Sequence, residues 1–165
     1  MTKTNTSSPT RLDYGMLLTR EISAPRRLVF EAWVHPEHFA QWWGPDGFTN
    51  PRCELDVRPA GAIRIDMHAP DGTVYPIGGF YQEIVEFEKL VFSSSVLDGL
   101  GHPLVDVLNT ITFADDAHGT TLTVQFRVLR STEESIPFLE AMEPGWKQSL
   151  ERLHAYLALI STKPV

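Results

Sequence analysis

The sequence predicts an α+β fold: a curved antiparallel sheet of about six to seven strands wrapped on a long C-terminal helix, with two short helices after the first strand. Three observations carry that prediction. From Cys53 to Leu129, apolar residues recur at every second position in short runs separated by turn residues, the pattern of half-buried strands. From Trp146 to Ile160 the period changes. Trp146, Leu150, Leu153, Leu157 and Ile160 follow at spacings of four, three, four and three, one stripe of an α-helix. No second helix of similar length and apolarity precedes it, so a sheet is the obvious partner for the stripe. A long helix held in a curved sheet leaves a hollow, and that hollow is where function is expected.

Met1 to Asp13 is rich in Thr and Ser and is expected to be a flexible tail, leaving residues 14–163 as a single domain. Met16 to Ile22 predicts the first strand. Ser23 is placed to cap a helix with Pro25 in its first turn, and Val29, Phe30, Trp33 and Val34 give that helix an apolar side. Pro36 disfavours helical geometry at His35 and ends it. A second short helix carries Phe39, Trp42 and Trp43 and stops at Gly44-Pro45.

The period of two then sets in. Cys53, Leu55 and Val57 alternate with charged residues, and Ile63, Ile65 and Met67 do the same after the Pro59-Ala60-Gly61 turn. Val74 to Val85 is the next strand, with a bulge or bend expected at Gly78-Gly79. Lys89 to Val96, Leu104 to Phe113 and Thr120 to Leu129 complete the meander, with Leu97 to Pro103 a loop. Ser131-Thr132-Glu133-Glu134 predicts a capping box opening a short helix with Phe138, Leu139 and Met142. Pro144-Gly145 is expected to break or kink that helix, so that the long helix begins beside Trp146.

Composition narrows the function. A net charge of −7 argues against a nucleic-acid partner, which needs a positive footprint, and against adhesion to anionic lipid. No stretch approaches the ~18 apolar residues of a membrane span. No apolar run follows Met1 as a secretory leader would require, so Asn5-Thr6-Ser7 carries no meaning as a glycosylation acceptor, and a cytoplasmic location is expected. A single Cys53 excludes an internal disulfide and a cysteine-based zinc site. It falls on the dry phase of its strand, where an inert thiol is the default. No cofactor or metal is expected.

The order of elements matches the helix-grip fold of the START and birch-pollen-allergen superfamily. Within it, Phe30-Glu31-Ala32-Trp33, Trp42-Trp43-Gly44-Pro45, Leu55-Asp56-Val57-Arg58-Pro59-Ala60-Gly61, Pro70-Asp71-Gly72, Gly119-Thr120-Thr121-Leu122-Thr123 and Gly145-Trp146 with Leu150 and Leu153 resemble the bacterial relatives of the C-terminal domain of the activator of the ninety-kilodalton heat-shock protein ATPase. The resemblance runs from about Leu17 to Leu159. It implies the fold, but the superfamily includes lipid carriers, receptors, cyclases and co-chaperone domains, and kinship of fold does not choose among them. No shared catalytic residue carries over.

The residues themselves offer candidates. Trp42-Trp43 either anchors its helix on the sheet or places Trp43, with Phe48, at a cavity mouth. Trp146 is either cavity wall or plain core. Asn109 sits on the apolar phase of its strand, where a buried amide must satisfy a bulge or point into a wet pocket. Tyr75, Phe80 and Phe92 are further wall candidates, and Phe126, Met142 and Leu150 complete the expected lining. Leu153, Leu157 and Ile160 are expected to be plain core. The first expectation is therefore an internal cavity for a small apolar or lipid-like molecule. An enzyme would need Asn109, His102, Asp106 and Tyr75 to converge, and nothing resembles a Gly-x-Ser-x-Gly elbow. A chaperone, or a second copy joined through a strand edge or the helical end, would need an exposed patch. His35, Glu37 and His38 span a helix boundary and lack a third ligand for a metal. His68 is expected to be exposed, and His154 partly buried. Gly99-Leu100-Gly101 precedes no helix and is no phosphate loop.

Overall fold

Seven antiparallel strands and three helices account for the residues described by the computed structural model, 15–161. The elements are β1 (Gly15–Ile22), α1 (Arg26–Val34), α2 (Pro36–Trp42), β2 (Thr49–Leu55), β3 (Ala62–His68), β4 (Val74–Val85), β5 (Lys89–Leu97), β6 (Pro103–Asp116), β7 (Gly119–Ser131), a 3-10 turn (Glu133–Ser135) and α3 (Ile136–Ser161). The tail expected over residues 1–13 lies outside the described residues.

The strands stand in the order β1-β7-β6-β5-β4-β3-β2 in one curved sheet. Every connection from β2 onward is a hairpin, as short turns between alternating runs require. β1 and β2 follow one another in the chain, yet they form the two opposite edges. The helices α1 and α2 carry the chain between them, and β1 pairs with the last strand, Leu18 opposite Val124. Alternate residues of the strands, among them Ile65, Ile111, Leu122, Val124 and Phe126, are buried on one face together with Trp33, Trp42, Leu150, Leu153 and Leu157 of the helices. The expected stripe of the long helix thus meets the dry face of the sheet. Among the described residues no helix is long and apolar enough to cross a membrane.

Local details depart from the sequence-based expectations. The long helix does not begin at Trp146. It is continuous over 26 residues from Ile136 with Pro144 inside it, about 39 Å at 1.5 Å per residue. A proline removes the bond to the carbonyl four residues back, here that of Glu140. Glu140 and Pro144 are both exposed, so water can satisfy that carbonyl. The capping box lies one residue later than expected, between Thr132 and Ser135. Pro25, not Ser23, is the N-cap of α1. α2 ends at Trp42, with Trp43 already extended at φ −67° and ψ 134°. β2 ends at Leu55, before Val57. No bulge interrupts the pairing of β3 with β4 at Gly78-Gly79. The register runs unbroken from Ala62–Phe80 to His68–Val74, and the shift lies between Tyr81 and Glu83 against β5. Gly79 is required for another reason: a Cβ there would stand 1.9 Å from the Ser93 carbonyl oxygen.

Candidate functional site

Between the first half of α3 and the ends of β3, β4, β5 and β6 lies a cavity of about 350 Å³. Its sheet wall is the inward phase of successive strands: Tyr75 and Ile77 on β4, Ser94 and Val96 on β5, Val105, Val107 and Asn109 on β6. Its helix wall is one face of α3, Phe138, Met142, Trp146 and Ser149, spaced by three or four residues as a helical face demands. The third wall is the loop between α2 and β2, with Trp43, Gly44, Pro45 and Phe48. The floor is buried, at Trp43, Ile77, Val105, Val107, Asn109 and Trp146. The rim is partly exposed, at Phe48, Tyr75, Pro137 and Phe138, so the hollow opens at the end of the molecule where α3 starts. Across the rim, Tyr75 touches both Phe48, at a ring separation of 6.1 Å, and Phe138, at 5.8 Å.

The loop wall is held by α3. Arg152 Nη1 donates to the carbonyls of Trp43, Gly44 and Pro45 at 3.2, 2.8 and 2.8 Å, and Nη2 to those of Gln41 and Phe48 at 3.3 and 3.1 Å. A planar guanidinium with five N–H donors suits this task, and its charge lies at the negative end of α2. Burial lowers the Arg152 pKa, opposed by the nearby Asp46 carboxylate. One turn earlier, Ser149 Oγ accepts from the Gly44 N–H and Gln148 Oε1 from the Asp46 N–H, both at 2.9 Å. Gly44 has φ +99°, which an L side chain adopts at a cost, and a Cβ there would press on Met67 and Phe48.

The floor is aromatic. Trp146 stacks on Phe126 and Trp33 at 6.3 and 6.2 Å and meets Trp43 edge-on at 5.3 Å. Trp146 is thus both core and wall, since the same ring fills the aromatic cluster and lines the cavity. Trp42 is anchor only, fully buried with its Nε1 on the Ala32 carbonyl at 3.0 Å.

The polar character of the cavity is small and specific. Asn109 is 1% exposed. Its Nδ2 donates to the Phe92 carbonyl at 3.2 Å and to Ser94 Oγ at 2.9 Å, while its Oδ1 and the Nε1 of Trp43 are buried without a hydrogen-bond partner.

The structure brings Trp43, Phe48, Tyr75, Asn109, Met142 and Trp146 of the expected set to this cavity. Four others it does not. Phe80 is 57% exposed on the outer face, because the unbroken β3–β4 register keeps the inward phase on Tyr75, Ile77 and Tyr81. Phe92 points inward but lies deeper, against a separate void of about 10 Å³. Phe126 is buried behind Trp146. Leu150 follows Ser149 around the helix and is packed in the core rather than exposed to the hollow. Sequence reasoning missed Phe138 and Ser149, which extend the Met142–Trp146 face by one turn in each direction. Expecting a break at Pro144 hid that continuity. It also missed Met67, Ile77, Val105 and Val107. The last three share the strand phase of Tyr75 and Asn109, a signal that was present.

The four residues considered for catalysis are dispersed. His102 is exposed near Asp98 at 3.6 Å. Asp106 is on the outer phase of β6, bonded to Ser95 Oγ and to Arg130 at 2.7 Å. Tyr75 stands at the rim and Asn109 at the floor. His38 Nδ1 pairs with the Tyr156 hydroxyl across α2 and α3. Among the described residues no group of three or more His, Cys, Asp and Glu is placed to hold a metal. His68 is half-buried, whereas His154 is exposed, both unlike the expectation.

A family model described as Activator of Hsp90 ATPase homolog 1-like protein matches residues 23–158. Among solved structures, protein CV1439 from Chromobacterium violaceum is 32% identical, with 87% of this chain and 96% of that chain covered at a TM-score of 0.76. Protein NE0264 from Nitrosomonas europaea is 23% identical, with 90% and 97% covered at 0.77. The AHSA1 (SPO3351) protein from Silicibacter pomeroyi is 23% identical, with 88% and 99% covered at 0.75. No curated protein matches the sequence.

Proposed function

This chain belongs to the family of Activator of Hsp90 ATPase homolog 1-like proteins, and from that premise we propose that it is a binding protein for a small, mostly apolar molecule held in the cavity under α3. The observation that carries this reading is the cavity itself, about 350 Å³ with an apolar floor and a partly exposed aromatic rim. Small-molecule sites have this character: concave, predominantly apolar, with a few polar groups that orient the ligand. The catalytic alternative lacks a converging polar cluster, and a chaperone partner has only the description of the family behind it. A cytoplasmic location fits a carrier or sensor of such molecules.

Trp43 and Trp146 in the wall provide the readout. Titration with a panel of neutral aromatic and aliphatic compounds is expected to give a saturable change in tryptophan fluorescence for some of them. Val107→Phe, which adds a ring to the buried floor, is expected to abolish it. A panel in which nothing saturates, or a saturable response that Val107→Phe leaves intact, would overturn the reading.

A further inference from the structure

The cavity carries more than its apolarity. Among the described residues, none of those lining it is Asp, Glu, Lys, Arg or His. Of the charges hydrogen-bonded to its walls, the Arg152 guanidinium is spent on backbone carbonyls and the Asp106 carboxylate on Ser95 Oγ and Arg130. A carboxylate or ammonium entering the hollow would lose its hydration without gaining a counter-charge, which costs several kcal/mol. A group seated at the buried floor is therefore uncharged.

The floor adds a second constraint. Four buried side-chain N or O atoms among the described residues have no hydrogen-bond partner: Trp33 Nε1, Trp43 Nε1, Asn50 Oδ1 and Asn109 Oδ1. Two of them, on Trp43 and Asn109, belong to residues that line the cavity. The indole Nε1 can only donate. The Asn109 amide nitrogen is committed to Phe92 and Ser94, so its oxygen can only accept. The floor thus lacks one acceptor and one donor. A hydroxyl is both in a single atom, whereas a carboxylate accepts only and an ammonium donates only.

Resting on the cavity reading above, we infer that the ligand is an uncharged alcohol or phenol with an apolar body, bound hydroxyl-first at Asn109 and Trp43. The body occupies the aromatic and aliphatic walls, and the hydroxyl satisfies the two floor atoms. A carboxylate in the place of the hydroxyl is rejected, because the floor holds no cation to meet it.

Three probes sharing one ring system test this on the intact protein by calorimetric titration near neutral pH: naphthalene, 2-naphthol and 2-naphthoate. The hydroxyl is expected to tighten binding about tenfold over naphthalene, the effect of one net hydrogen-bonded group. The carboxylate is expected to bind at least about tenfold more weakly than the hydroxyl. Asn109→Leu is expected to bring 2-naphthol toward the naphthalene affinity while leaving naphthalene within about twofold, because only the hydroxyl uses the amide. If that variant does not fold, the order of the three probes on the native protein decides. Naphthoate as tight as naphthol, or naphthol no tighter than naphthalene, overturns the inference about the ligand class and leaves the cavity reading standing. No binding by any of the three, together with a fluorescence panel in which nothing saturates, overturns both.

Discussion

The guanidinium of Arg152 reaches from the middle of α3 to the Gly44 carbonyl, with Nη1 2.8 Å from the oxygen. The same head holds four more carbonyls of the segment from Gln41 to Phe48, so one side chain sets the position of the loop that forms a cavity wall. Removing it leaves those carbonyls to water or unpaired. Arg152→Met is expected to lower unfolding stability by about 2 kcal/mol, within the range for charge-assisted hydrogen bonds. Arg152→Lys is expected to recover less than half of that, since an ammonium cannot reproduce the planar fork. Urea melts of the three proteins check this, and full rescue by lysine would show that charge rather than geometry matters.

Phe80 and Phe92 offer a contrast between the two faces of the sheet. Phe80 is 57% exposed and Phe92 only 4%. Phe80→Ser is expected to change stability by no more than about 0.5 kcal/mol, whereas Phe92→Ala is expected to cost about 3–5 kcal/mol. Thermal melts read both, and a large loss from Phe80→Ser would place that ring inside.

Ala60 has φ +68°, a left-handed conformation that costs an L-residue about 1–2 kcal/mol. Glycine relieves the strain but loses more entropy on folding, roughly 0.5–1 kcal/mol. Ala60→Gly is expected to raise stability by up to about 1 kcal/mol, the difference between those two effects. A lower melting temperature for the glycine variant would show that the turn is held by something other than its backbone geometry.

Cys53 predicts a pH dependence. Burial, helped by the Glu54 carboxylate, pushes its thiol from 9.0 up to about 12. The neutral thiol is the form the fold favours, so the unfolded chain loses this proton first. The contribution of Cys53 is complete below about pH 9 and is lost as pH rises toward 12, because in that window the native state binds more protons than the unfolded one. Tyr81, whose phenol burial also raises, acts in the same direction and remains in either protein. Urea midpoints are therefore expected to fall more steeply between about pH 9 and 11 for the native protein than for Cys53→Ala. Parallel slopes would count against it. At mildly alkaline pH the folded thiol is expected to react with iodoacetamide at least about tenfold more slowly than the denatured chain, since the thiolate is the nucleophile.

The strands were legible because each buries one face. Ile63 and Ile65, or Val105, Val107 and Asn109, announce their phase through the alternation itself, and Asn109 was noticeable as an amide among the apolar residues on the dry phase of its strand. Phe80 was misread because neighbouring glycines suggested a slip that the pairing with β3 does not contain. Pro144 misled for a similar reason. A local rule about proline in helices was overridden by a solvent-facing position and by packing on both sides of it, and the cavity face of α3 was cut in two. Arg152 was invisible as a structural hub, since its partners are backbone carbonyls about a hundred residues away in the chain and carry no side-chain signature. The charge and apolarity of the lining could be anticipated. The pairing of an orphan donor with an orphan acceptor could not, because it depends on which bonds the surrounding backbone already supplies.

The pairing of β1 with β7 bears on how the molecule is made. Gly15 lies opposite Arg127 and Ile22 opposite Thr120, so the first strand has no neighbour in the sheet until the last one exists. During synthesis β2 to β6 can zip up hairpin by hairpin, but β1 must wait through more than ninety residues for its partner. Closing so long a loop is slow compared with forming local hairpins. The partner of the first strand and the helix that roofs the hollow are both supplied by the last part of the chain, so the hollow is complete only when the chain is nearly whole.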